Sequence, residues 1–273
     1  MKIIDAHTHI FPEKIVERAT KSTAEFYSGG KTEIKLAPGE IPKHTGTADD
    51  LDRQLKKAGI DSCVVFSAAT AARQVESINS FIASECEAHQ NWYGVGTMHA
   101  EFENFESECD RMLSMNLRGI KLHPDIQRFR IDDERLYPLY EIMSDRHMFL
   151  ITHAGDSRFD YSGPKRIAGV AKMFPKLKII GAHFAGWSEW DEAMKYLNLE
   201  NIYMDTSSTY AFTGRDTILR AFDTYDNTHI FFGSDYPMWD PEHELETIMS
   251  LGLRTDVLEG VLHRNFEVFM QNL

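Results

Sequence analysis

Eight short apolar runs, each followed by a longer amphipathic stretch, recur along this chain of 273 residues. The runs lie at 2–6, 62–68, 92–98, 117–122, 148–153, 177–183, 201–205 and 229–234, and several are rich in Val, Ile and Phe. Helical spacing fills the intervals 49–59, 74–90, 105–116, 134–146, 164–175, 188–198, 215–226 and 242–252, with a last helix near 255–270. Strands apolar on both faces need cover on both faces, which a parallel sheet flanked by helices provides. Eight such units in roughly 250 residues predict an α/β fold, a closed (β/α)8 or TIM barrel. A doubly wound open sheet is the alternative, but the glycine-rich turn expected after its first strand is replaced by "DAHTHI". Residues 11–46, with Gly, Pro and polar clusters, are expected to form a loop or small hairpin inserted after strand 1 over one barrel end. No linker interrupts the pattern, so 1–273 is expected to be one domain.

Composition narrows the partners. The apolar fraction is 42%, and no apolar run reaches the length of a membrane span. A net charge of −13 argues against nucleic acid as a partner, although local arginines or a metal can still receive an anion. Three cysteines without metal-binding spacing, and an N-terminus without secretory features, predict a cytoplasmic protein with reduced thiols.

Ionisable residues recur where the apolar runs end. His7 and His9 close the first, Lys121 and His123 the fourth, His153 the fifth, His183 the sixth and Asp235 the eighth. In a barrel these positions converge on one mouth. Each residue has an ordinary explanation alone: a core histidine at His183, an ion-pair partner at Lys121, a turn cap at Asp235. Recurrence at five strand ends favours a metal site, because imidazole and carboxylate suit zinc and similar ions. Residues i and i+2 of a strand share a face, so His7 and His9 can grip one cation. Arg73, Arg128, Arg130 and Arg158 follow strands and suit a carboxylate. Phe184, Trp187, Tyr236 and Trp239 flank the same motifs and suit an aromatic wall. A small organic acid is the substrate these residues suggest.

Taken in order, "DAHTHI", "GIKLHP", "THAG", "AHFAGW", "FGSDYP" and the closing "VLEGVLHRNFEVFM" resemble the amidohydrolase superfamily. The resemblance is strongest to its amidohydrolase-related branch of metal-dependent hydrolases and decarboxylases. It implies His7, His9, His153 and Asp235 as metal ligands, with Asp235 and His183 acting on the water or substrate. Lys121, His123, Arg158, Trp187 and Tyr236 are the expected substrate contacts. One divalent ion is implied, with zinc favoured and manganese, iron or cobalt also fitting; a second ion would need a carboxylated Lys121. The expected function is hydrolysis of a small organic acid, lactone, ester or amide, and non-oxidative decarboxylation is the alternative on the same residues. Members are often dimers or tetramers, so a homo-oligomer is compatible with the resemblance. Two further classes are a zinc-binding barrel without catalysis and a metal-free enzyme using Lys121 as a Schiff-base nucleophile.

Overall fold

The structure is a computed structural model that describes residues 1–28 and 41–273. Each of the eight apolar runs forms a strand. These are β1 (Ile4–His9), β2 (Ser62–Phe66), β3 (Trp92–Gly94), β4 (Gly96–Thr97), β5 (Gly119–Leu122), β6 (Phe149–Thr152), β7 (Ile179–Gly181), β8 (Ile202–Asp205) and β9 (Ile230–Phe231). All pairings are parallel, in the orders β1-β2-β3 and β4-β5-β6-β7-β8-β9.

The third run is split at Val95, and a side chain explains the break. Thr97 donates its N–H to Asn79 Oδ1 at 2.7 Å, and Asn79 Nδ2 returns a bond to Thr97 O at 3.2 Å. The buried amide thus satisfies backbone groups that a ladder would otherwise pair. Val95 still donates to Val65 O at 3.0 Å. At the other edge, Ala6 N–H donates to Phe232 O at 2.7 Å, His9 N–H to Tyr236 O at 2.7 Å, and Asp235 N–H to His7 O at 2.8 Å. These bonds join β1 to the continuation of β9. Asp5 strengthens the seam, its Oδ1 accepting from Ser234 N at 2.9 Å.

Alternation along the strands separates two cores. Val64 and Phe66 of β2, Phe149 and Ile151 of β6, and Phe231 of β9 pack inside with Phe266 and Phe269. Cys63, Val65 and Leu150 face outward, against the helices. On β5, Ile120 and Leu122 join the outer cluster, and Lys121 lies 4.7 Å over the ring of the inner residue Phe66.

The described helices are α1 (Glu13–Ser28), α2 (Ala48–Ala58), α3 (Val75–Ala88), α4 (Phe105–Ser114), α5 (Pro124–Gln127), α6 (Tyr137–Asp145), α7 (Pro164–Met173), α8 (Trp190–Tyr196), α9 (Arg215–Thr224), α10 (Pro241–Ser250), α11 (Thr255–Glu259) and α12 (Asn265–Gln271). The last two continue through a π-turn at Gly260–Arg264. Helix α2 starts at Thr47, whose hydroxyl accepts from Asp50 N, and ends on the left-handed Gly59. No helix among the described residues is long and apolar enough to cross a membrane.

One expectation needs correction. The segment 11–46, read as a loop or hairpin, contains α1 over sixteen residues. Its Ile15, Ala19 and Phe26 recur at helical spacing and line a cavity instead of the core. The part of that expectation covering 29–40 lies outside the described residues.

Gly155 marks where the chain after β6 meets the chain after β7. Its φ is +82°, and an added Cβ would stand 2.4 Å from Trp187 O and 2.6 Å from Trp187 N. Backbone cannot yield as a side chain tip does. Gly155→Ala is expected to lower unfolding free energy by about 3 kcal/mol, combining overpacking with an unfavourable φ; a denaturant midpoint unchanged from wild type would contradict this.

Candidate metal centre

Strand β1 carries the first two candidate ligands to the mouth of the barrel. The β1–β2 register shifts between Asp5 and Thr8, beside His7. His7 Nε2 and His9 Nε2 lie 3.2 Å apart. Asp235, after β9, places Oδ1 at 3.4 Å from His7 Nε2 and 3.3 Å from His9 Nε2. Ligands about 2.0–2.2 Å from a tetrahedral ion stand roughly 3.3–3.5 Å from one another. The three atoms therefore have the spacing of one face of such a site, and a divalent ion fits them.

Protons on neighbouring atoms agree with this. His7 Nδ1 donates to Asp205 Oδ2 at 2.8 Å, which leaves Nε2 with its lone pair toward His9 and Asp235. Asp205 Oδ1 also accepts from His183 N at 3.1 Å, from Ser207 N at 3.1 Å, and from the Ser207 hydroxyl. Burial works to raise the Asp205 pKa, but His7 and the other donors outweigh it and hold the carboxyl below its ordinary range. His7 is pushed down to about 4, chiefly by burial and then by the charge of Lys121. Burial also lowers His9 and His183. The second oxygen of Asp235 accepts from Ser208, which itself accepts from Trp239 Nε1 at 2.6 Å.

His183 and His153 form a connected pair beside the triangle. His183 Nδ1 faces Ser207 O at 3.0 Å and Ser207 Oγ at 2.9 Å, so it carries the proton. Its Nε2 is then an acceptor and takes a bond from His153 Nδ1 at 3.1 Å. The His183 ring is centred 5.2 Å from that of His7. His153 thus reaches the triangle through His183, and its ring stacks on His123 at 4.1 Å. Lys121 is buried, with Nζ 3.4 Å from His7 Nε2; desolvation lowers its pKa to about 8.

Of the remaining expected contacts, Arg158, Trp187 and Tyr236 are held by other residues, and His123 lines the cavity. Arg158 forks onto Asp156 at 2.8 and 2.7 Å and donates to Phe26 O at 2.7 Å, holding α1 to the chain after β6. Trp187 is buried, with the Arg158 guanidinium 5.3 Å from its ring. The Tyr236 hydroxyl donates to Asp50 Oδ2 at 2.9 Å and accepts from Gly46 N at 3.2 Å, tying the site to α2. His123 caps α5 and lines the cavity. That cavity, about 1060 Å³, has His9 and Asp235 on its wall together with Arg18, Arg73 and Arg128. The sequence reading did not single out Asp205, Ser207 or Arg18. Asp205 ends the apolar run "NIYMD", so the strand-end pattern that marked the other ligands also pointed to it.

The donor set is a candidate metal site at the strand ends of an α/β fold, and the chain belongs to the amidohydrolase-2 family, whose model matches residues 4–265. It resembles an uncharacterized TIM-barrel protein from Bordetella bronchiseptica (TM-score 0.76, 20% identity, 99% of each chain covered). It also resembles a probable 2-pyrone-4,6-dicarboxylic acid hydrolase from Acinetobacter baumannii, solved with citric acid (TM-score 0.69, 12% identity, 99% of this chain and 100% of the other). A 5-carboxyvanillate decarboxylase from Novosphingobium aromaticivorans, solved with manganese and a nitrobenzoic acid, superposes with TM-score 0.76 at 13% identity over 99% of this chain and 96% of the other. Among proteins of curated function, none matches it in sequence.

Replacing Asp205 by Asn removes the anionic acceptor that sets the His7 tautomer. Metal affinity in a chelator competition should fall about 10- to 100-fold while the fold survives; unchanged affinity would mean that His7 needs no orienting partner. Lys121 gives a second test, in metal-free protein. Below about pH 8 its amine is charged both folded and unfolded, and folding carries the full cost of burying that charge. Between about 8 and the ordinary value of 10.5 the unfolded chain holds a proton that the folded chain lacks, so stability rises with pH. Lys121→Met should therefore be more stable than wild type by roughly 3 kcal/mol at pH 7, a gain that disappears above about pH 10.

Proposed function

We propose that this chain is a metal-dependent hydrolase acting on a small organic carboxylate, as a lactone, ester or amide. One divalent ion is held by His7, His9 and Asp235 and completed by His153. The observation that carries the reading is the triangle of His7 Nε2, His9 Nε2 and Asp235 Oδ1, with sides of 3.2–3.4 Å, set at the cavity wall. Arg18, Arg73 and Arg128 on that wall have no ion pair among the described residues and supply positive charge for an anionic group. Zinc suits the histidine and aspartate donors, and manganese, iron and cobalt also suit them. When bound, the ion supplies Lewis acidity and lowers the pKa of a water toward about 7.

The chain's own groups do the rest. Asp235 accepts a proton from the attacking water and returns it to the leaving group. His183, its Nδ1 proton fixed by Ser207, accepts at Nε2 from His153, and that nitrogen would be released to orient the water when His153 turns onto the ion. Lys121 keeps a positive charge beside the triangle at neutral pH and steadies negative charge developing there.

Decarboxylation is the second reading, favoured by the likeness to the manganese-containing carboxyvanillate decarboxylase. Here the bond from the substrate carbon to its carboxylate would break with release of CO2, and a proton drawn from water and passed through His183 Nε2 would go to that carbon. Elemental analysis of purified protein should give about one equivalent of divalent metal, absent from Asp235→Ala and kept in Lys121→Ala. Titration of released acid from lactones and esters, beside CO2 release from aromatic acids, then separates the reactions. No metal after reconstitution would remove both readings.

A further inference from the structure

Helix α1 is poorly suited to hold itself together. Glu25 stands in its last turn, which contains no basic residue. A negative charge there opposes the helix dipole, and a cation would favour it. Among the described residues of α1, Thr20 alone is buried, whereas α2 buries Ala48, Asp50, Leu51 and Leu55. Tertiary packing therefore stabilises α1 less than α2, and packing is what most helices depend on.

Arg158, from the chain after β6, supplies the missing cation. Its Nη1 donates at 2.7 Å to Phe26 O, one of the end carbonyls that the helix itself leaves unpaired. The guanidinium lies 4.7 Å over the Phe26 ring and 5.4 Å over that of Phe159. Its Nε and Nη2 fork onto Asp156, and the Arg158 side chain is only 8% exposed. Asp156 holds that position at φ of 130°, which a non-glycine residue adopts only when surrounding bonds enforce it. A buried ion pair and a strained residue thus converge on the end of one helix.

The two ends of α1 are attached differently. The N-terminal end follows β1 directly, with Phe11 N–H on Gly46 O at 2.9 Å. At the other end stands the Arg158 clamp. Between them Ile15, Arg18 and Phe26 line the cavity. Release of the clamp would free this wall without breaking any strand pairing.

We propose that Arg158 is a positioning residue that acts through α1. The helix opens over the cavity as a unit separate from the barrel, and Arg158 keeps it formed so that a bound ligand meets a complete wall. The effect on ligand rests on the carboxylate reading above; the opening of α1 does not.

Backbone hydrogen exchange of the full chain, read separately over α1, α2 and α10, tests the opening. In wild type α1 should exchange at least about tenfold faster than the other two, as a locally opening unit does. The double variant Asp156→Asn/Arg158→Met removes both charges, because Arg158→Met alone would leave a buried carboxylate unpaired. It should speed α1 by about a further tenfold relative to α2 and α10, as expected when a charge-assisted bond is lost. Acceleration of all three helices by one common factor would mean a merely structural contact and would overturn the proposal. So would wild-type α1 exchanging no faster than α2, a comparison that decides even if the double variant does not fold. Calorimetry of zinc-loaded protein with isophthalate, benzoate and succinate reads the effect on ligand. The variant should bind these acids about tenfold more weakly, with zinc affinity in a chelator competition within about twofold of wild type, since His7, His9 and Asp235 lie outside α1. Unchanged affinity for an acid that wild type binds would overturn the positioning of the wall. If wild type binds none of them, the carboxylate reading fails, and the exchange rates alone decide the opening of α1.

Discussion

Asp205 is a fully buried carboxylate on which donors from three strands converge. His7 arrives from β1, the His183 backbone from the end of β7, and Ser207 from the turn after β8 itself. An isolated charge in that position would be prohibitive, and four donors make it tolerable. The bonds have a second effect. They fix the proton of His7 on Nδ1 and, through Ser207, the proton of His183 on Nδ1. Two imidazoles therefore present lone pairs at Nε2 without either having to titrate. The carboxylate that stabilises the strand ends also sets the chemistry of the site they surround.

The site is strained where the candidate groups sit. His183, Phe184 and Ala185 all have φ between 51° and 63°, and Asp235 has φ of 62°. Left-handed backbone costs a non-glycine residue roughly 1 kcal/mol or more. In return, the chain after β7 folds back tightly. His183 N–H reaches the Asp205 side chain, Phe184 N–H reaches Asp205 O at 2.7 Å, and Trp187 N–H reaches Ala154 O at 2.7 Å. Strain of this kind persists when surrounding bonds over-determine it, and it gathers at functional sites.

All eight apolar runs were legible as strands, though not the split of the third into β3 and β4, because burial on both faces leaves continuous apolar stretches, and the polar residues closing those runs located the mouth of the barrel. Helix α1 was not legible. Its apolar positions face a cavity instead of a core, so they are sparse, and the Gly- and Pro-rich stretch that follows obscured them. Arg158, Trp187 and Tyr236 show a different limit. Each stands beside a site motif in sequence, but Arg158 is bound to Asp156, Trp187 is packed beneath it, and Tyr236 anchors Asp50. Proximity along the chain does not tell which way a side chain turns. Asp125 and Arg18 were missed for the converse reason, since only the fold brings α5 and α1 to one cavity.

Charge balance gives the most general reason for a cation in this barrel. Burial lowers the pKa of each histidine in the cluster, so His7, His9, His153 and His183 are neutral at pH 7. Asp205 and Asp235 stay ionised, the latter held down by hydrogen bonding to His9 and by neighbouring imidazoles against the upward push of burial. Lys121 offsets one of the two negative charges. One remains in a water-poor place, beside the Nε2 atoms of His7 and His9. A hydrophobic or ion-paired core would have no reason to keep that arrangement, because removing the carboxylates would cost less than burying them. A divalent ion would account for both the surplus negative charge and the orientation of the imidazoles, and it would stand beside the cavity wall that carries Arg18, Arg73 and Arg128.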